Sequence, residues 1–176
     1  MFSIILKLLV LTPASQSAHP LIQISEIIEK DLHLYAAEGQ LLIESPNSSS
    51  VYYPFRDPSQ QFAPKPSDFE GWTLIDTNCV EDQKPVQIQY TDISGTYTAE
   101  AMLHEAGLRV YWKQKEVILA EQMIMQQATP CAIHVLEADA NPGLELIVAW
   151  QFNTNLSGFT IFKIPETAYS TVKTTE

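Results

Sequence analysis

Apolar and polar residues alternate through much of the second half of the chain, the pattern of strands with one wet face. Val86-Gln87-Ile88-Gln89-Tyr90-Thr91 is the clearest run, and Ser94-Gly95 predicts a turn into Thr96-Tyr97-Thr98-Ala99. Leu108-Arg109-Val110-Tyr111-Trp112 and Glu116-Val117-Ile118-Leu119 predict a hairpin around Lys113-Gln114-Lys115. Ala132–Leu136, Leu144–Trp150 and Phe159–Ile164 supply three further strands, and Trp72-Thr73-Leu74-Ile75 a short one leading to Cys79. One stretch breaks the pattern. Ala99 to Ala106 is rich in helix formers and suits a helical turn, which Gly107 would end.

The first half is less regular. Ile24, Ile27 and Ile28 within Leu21–Lys30 have helical spacing, yet their β-branching favours a strand, so both readings stand. Leu32-His33-Leu34-Tyr35 and Gln40-Leu41-Leu42-Ile43 flank Glu38-Gly39 and predict a hairpin, because glycine accepts the positive φ of a tight turn. Residues 45–70 hold five of the chain's 11 prolines, with Ser48-Ser49-Ser50 and five aromatic residues. Proline removes backbone donors, so this stretch is expected as a long surface loop. Its Tyr52, Tyr53, Phe55 and Arg56 are the candidate contact residues for a partner, and the alternative is a loop pinned to the sheet by its own aromatics.

Turn signals recur about every 8–15 residues, which favours antiparallel over parallel sheet. The expected fold is a single mainly-β domain over 19–176: an antiparallel sandwich, a barrel or a propeller-like meander, or α+β if the short helix forms. The polar tail from Thr167 to Glu176 is expected to fray. A length of 176 residues suits one domain with a core of its own.

Composition then narrows the function. Ten Lys plus Arg against 21 Asp plus Glu leave a net charge of −11. That surface repels phosphate backbones and anionic lipid, which speaks against nucleic-acid binding, and it speeds association with cationic proteins. Met1–Leu11 is a short apolar stretch with Lys7 its only side-chain charge, and the small polar run Thr12–Ala18 follows. Residues 1–18 are therefore expected to be a secretory signal cut near Ser15-Gln16-Ser17 or Thr12-Pro13-Ala14; the alternative is a buried first strand or helix. The apolar run is too short for a membrane span, which takes about 20 residues. Export to the periplasm or outside the cell would let Cys79 and Cys131, the two cysteines, pair with each other. Closing that loop of about 53 residues restricts the unfolded chain by about 4 kcal/mol in the entropy model. Asn47 and Asn155 head two sequons, which matter only for a eukaryotic secreted protein.

The run Glu137-Ala138-Asp139-Ala140-Asn141-Pro142-Gly143-Leu144-Glu145-Leu146-Ile147-Val148 resembles the loop-and-strand signature of FG-GAP/VCBS-type β-propeller repeats. The resemblance implies β architecture, a calcium-binding loop and an adhesion or ligand-binding role. Asp139, Asn141 and Glu145 match positions of the pattern as candidate calcium ligands. Pro142 and Gly143 stand where a fuller loop supplies another carboxylate, and calcium takes 6–8 oxygens. An Asx-turn gated by Gly143 is the competing reading.

No other motif carries chemistry. His104-Glu105 lacks the second histidine of a helical zinc-protease signature, and P-loop, dinucleotide-turn and nucleophile-elbow patterns are missing. The remaining enzymatic reading is a hydrolase built on His104 or on a carboxylate pair, Asp31 with Glu38 or Glu100 with Glu105. His134, between Ile133 and Val135, is expected on the polar face of its strand; Trp72, Trp112 and Trp150 are expected in the core. Charge and the lack of a catalytic signature together favour a secreted or periplasmic non-catalytic binding module for a basic protein. The hydrolase and a calcium-stabilised adhesion module are the two alternatives.

Overall fold

The described residues of the computed structural model are 18–29, 33–37, 40–45, 48–52, 71–75, 79, 84–124, 128–137, 143–153 and 156–169. They form thirteen strands: β1 (His19–Pro20), β2 (Ile22–Glu29), β3 (His33–Ala37), β4 (Gln40–Ser45), β5 (Ser48–Tyr52), β6 (Thr73–Ile75), β7 (Val86–Asp92), β8 (Gly95–His104), β9 (Gly107–Gln114), β10 (Val117–Met123), β11 (Thr129–Leu136), β12 (Glu145–Asn153) and β13 (Leu156–Lys163). A front sheet runs β1-β10-β9-β8-β7, a middle sheet β11-β12-β13-β2 and an outer sheet β5-β4-β3-β6. All the ladders are antiparallel except the two-residue pairing of β1 with β10. Of the architectures the pattern allowed, stacked sheets are the one formed.

The burial of β12 explains the layering. Leu146, Val148 and Trp150 pack with Val110, Trp112 and Ala120 of the front sheet. Ile147 and Ala149, on the opposite face, pack with Leu34, Ala36 and Ile75 of the outer sheet. Successive side chains point to opposite faces, so a continuous apolar run marks a strand covered on both sides. The middle sheet is the floor of two cores, and Glu145–Trp150 is buried throughout.

Three expectations are corrected. Ala99–His104 is strand, not helix: Ala99 pairs with Trp112 and Ala101 with Val110, and both alanines are fully buried. Burial overrides helix propensity, which is worth only tenths of a kcal/mol per residue. The one helical segment among the described residues is a 3-10 turn at Glu166–Ala168. Second, the start of the tail is docked. The carbonyl of Ala168 accepts the Trp112 indole N–H at 3.1 Å, and that of Tyr169 accepts the Tyr97 hydroxyl at 2.8 Å. Third, the proline-rich stretch begins with β5, an edge strand on β4; its residues 53–70 lie outside the described residues. Leu21–Lys30, open between helix and strand, provides β2, and β3 pairs antiparallel with β4, Ala37 opposite Gln40, as the expected hairpin requires.

Candidate functional site

β6 and β11 are the strands that end the outer and middle sheets, and a groove of about 380 Å³ lies between them. Thr73 and Ile75 of β6, with Ala36 of the neighbouring β3, form one wall. His134, Val135 and Leu136 of β11 and the adjoining Glu137 form the other, and Gly71 lies at the rim. The alternation of β11 sets this arrangement. Ile133 packs into the front core, so His134 is turned to the opposite side, towards the outer sheet. Ala36 and Ile75 are buried, His134 and Leu136 half-buried, Thr73 and Glu137 exposed. The result is an apolar floor beneath a rim with one carboxylate, one imidazole and one hydroxyl. A mainly apolar cleft with a few polar groups is the usual form of a binding site.

The disulfide Cys79–Cys131 closes this region. Cys131 starts the inner part of β11 and Cys79 follows β6, with the two Cα atoms 4.1 Å apart. The bond therefore ties the chain leaving the outer sheet to the middle sheet. Cys131, Leu34, Ile75 and Phe159 share one cluster, so the bond is continuous with the packed interface beneath the groove.

Burial raises the Tyr90 phenol above its ordinary range, followed by the charges of Asp92 and Glu137. Glu137 thus acts on both the groove rim and the end of β7. Near the same end of the middle sheet, Glu145 is fully buried and meets Lys163 of the adjacent strand, Nζ to Oε1 3.8 Å. Gly143 makes that approach feasible: at φ +137° it carries no Cβ, and one placed there would lie 3.0 Å from Lys163 Cε. Glu145 is the one proposed calcium ligand among the described residues, and a cation already faces it. Asp139 and Asn141 lie outside them, as do Tyr53, Phe55, Arg56, Asp31 and Glu38; Tyr52 belongs to β5.

His104 stands exposed at the β8–β9 turn, away from the groove lining. Of the two candidate carboxylate pairs, Glu100 with Glu105 is the one among the described residues. Glu100 lies about 16 Å of extended strand from Glu105, and it is buried with Lys113 Nζ at 2.5 Å and the Gln87 amide on its other oxygen. Among the described residues no three His, Cys, Asp or Glu side chains are placed to hold a metal ion. A second concavity of about 290 Å³ beside β1 and β10 contains Arg109 and Glu121, which face each other at 3.6 Å. No helix among the described residues is long and apolar enough to cross a membrane.

Comparison with protein-family models, curated proteins and solved structures found no match. The groove was not evident from sequence. His134 and Glu137 carry ordinary strand and loop signals, and only the Cys79–Cys131 pairing hinted that the ends of β6 and β11 meet.

Proposed function

We propose that this chain is a secreted or periplasmic, non-catalytic binding module for a basic protein partner. The observation that carries the reading is the groove, with Glu137 and His134 over an apolar floor, on a chain with a net charge of −11. Such a site takes the aliphatic stem of a lysine or arginine on its floor and the charged head at its rim. The excess negative charge speeds the encounter of that partner and disfavours acidic ones. The Cys79–Cys131 bond supports an oxidising compartment, where such bonds persist.

Binding of fluorescent poly-lysine across ionic strength tests the reading. Affinity should fall about tenfold or more between 50 and 300 mM salt, since exposed charges are screened beyond about 10 Å at 0.1 M. Glu137→Lys should weaken it further. Absent or salt-insensitive binding would remove the basis of the proposal.

A further inference from the structure

We infer that the concavity beside β1 and β10 binds a free amino acid with an apolar side chain, as its zwitterion. This site stands apart from the groove and goes beyond the reading of the protein as a module for a basic partner. Its frame comes from the alternation of β9 and β10. Val110, Trp112 and Ala120 pack into the front core, so Arg109, Glu121 and Met123 are turned to the opposite face of the front sheet. Arg109 lies across the ladder from Met123, and Glu121 across from Tyr111, which makes Arg109 and Glu121 diagonal neighbours. On the other side of β10, Pro20 pairs with Glu121, and Leu21 donates its N–H to the Glu121 carbonyl at 3.1 Å. The Leu21 side chain is buried in the front core. The wall formed by Ala18 and Pro20 is thus pinned to the strand that carries the carboxylate.

The second argument is the charge pair. Arg109 Nη1 and Glu121 Oε2 are 3.6 Å apart, longer than a hydrogen bond, and the two side chains are 39% and 41% exposed. Among the described residues the buried Nε of Arg109 has no hydrogen-bond acceptor. Exposed ion pairs add little stability, so the fold itself gains little from placing these two groups together. A guanidinium beside a carboxylate matches a ligand that carries the two opposite charges on neighbouring atoms. The ligand carboxylate takes the planar N–H fork of Arg109, and its ammonium takes Glu121. A zwitterion has no net charge, so the −11 of the chain does not repel it, as it would a free anion.

Size and lining select the rest. A volume of about 290 Å³ lies at the small end of ligand sites and suits a single amino acid. Ala18, Pro20 and Met123 supply the apolar part of the lining, and Met123 is 46% exposed. A methionine side chain adapts its shape to the group it meets, which favours an aliphatic side chain at that end of the ligand.

The test uses the full disulfide-bonded chain and three probes: L-leucine, N-acetyl-leucine, which lacks the ammonium, and leucinamide, which lacks the carboxylate. Titration calorimetry is run at about 0.15 M salt, where attraction between distant charges is screened beyond about 8 Å. Leucine should bind saturably, and each of the other two at least about tenfold more weakly, because each loses a charge-assisted hydrogen bond. Two variants assign the ends. Glu121→Gln should bring leucine down to the level of N-acetyl-leucine, and Arg109→Gln to that of leucinamide. Should a variant unfold early, the comparison of the three probes on the unaltered chain decides the matter alone. No saturable binding of leucine, or equal binding of the three probes, would overturn the site. Leucine affinity unchanged in both variants would do the same. Poly-lysine binding at the groove is independent of every one of these outcomes.

Discussion

Gly158 stands directly across from Trp150 in the ladder between β12 and β13, and a Cβ on Gly158 would lie 2.3 Å from Cζ2 of the indole. Trp150 is 1% exposed, packed in the front core, and donates its N–H to the Thr160 hydroxyl at 2.8 Å. The ring cannot swing clear without breaking that bond and the packing around it. Gly158→Ala should therefore destabilise the fold by about 1–3 kcal/mol, the usual cost of overpacking a filled core. Urea unfolding monitored by Trp fluorescence measures it. An unchanged midpoint would show that the tryptophan has room to move.

Cys79 and Cys131 are separated by 52 positions and tie the end of the outer sheet to the middle one. Replacing both with serine should cost about 4 kcal/mol in the entropy model. The loss should be uneven. Hydrogen exchange should quicken most in β3 and β6, which the bond anchors, and least in β8 and β9 at the centre of the front sheet. Uniform acceleration would mean that the three sheets unfold as one unit.

Lys113 and Glu100 form an ion pair within the front sheet, with Glu100 buried and Lys113 lying 4.8 Å from the centre of the Tyr111 ring. Lys113→Met strands the carboxylate with the Gln87 amide alone and should cost about 1–3 kcal/mol. Adding Glu100→Gln should recover part of that loss, because a lone buried charge costs more than a neutral pair. A double mutant no more stable than the single would contradict this account.

Tyr90, Tyr97 and Tyr169 each have a phenol pushed above its ordinary range, in every case first by burial. Asp92 adds to the effect at the first two, and Glu166 at the third, where a backbone bond from Leu144 partly opposes it. Above pH about 10 the unfolded chain loses these protons while the folded chain keeps them, so stability is full below that pH and falls as pH rises through it. Absorbance at 295 nm should show Tyr90, Tyr97 and Tyr169 titrating above the ordinary phenol range, and their release should coincide with unfolding. Release of these three protons in the ordinary phenol range, with the fold intact, would refute the burial.

Much of the sheet was legible because its signals are local. β7 alternates along its whole length, Glu38-Gly39 in the sequence marked the antiparallel pairing of β3 with β4, and the apolar run of β12 gave a strand. That β12 is covered on both faces required the pairing of distant segments. Local signals also misled. The alanines of β8 match helix propensity, but their smallness serves Trp112 and Val110 across the ladder. Thr167–Tyr169 reads as polar tail, yet its main-chain carbonyls, invisible to any side-chain pattern, satisfy Trp112 and Tyr97. The groove was hidden for the same reason: it lies where two sheet edges from distant parts of the chain meet, and neither edge announces its neighbour.

The β2–β13 ladder joins residues 22–29 to residues 156–163. Strands of both flanking sheets leave the ribosome before the slab that separates them has been made. Their apolar faces have nothing to rest on until the last strands arrive. Both cores are therefore completed only once β11, β12 and β13 have been added to β2.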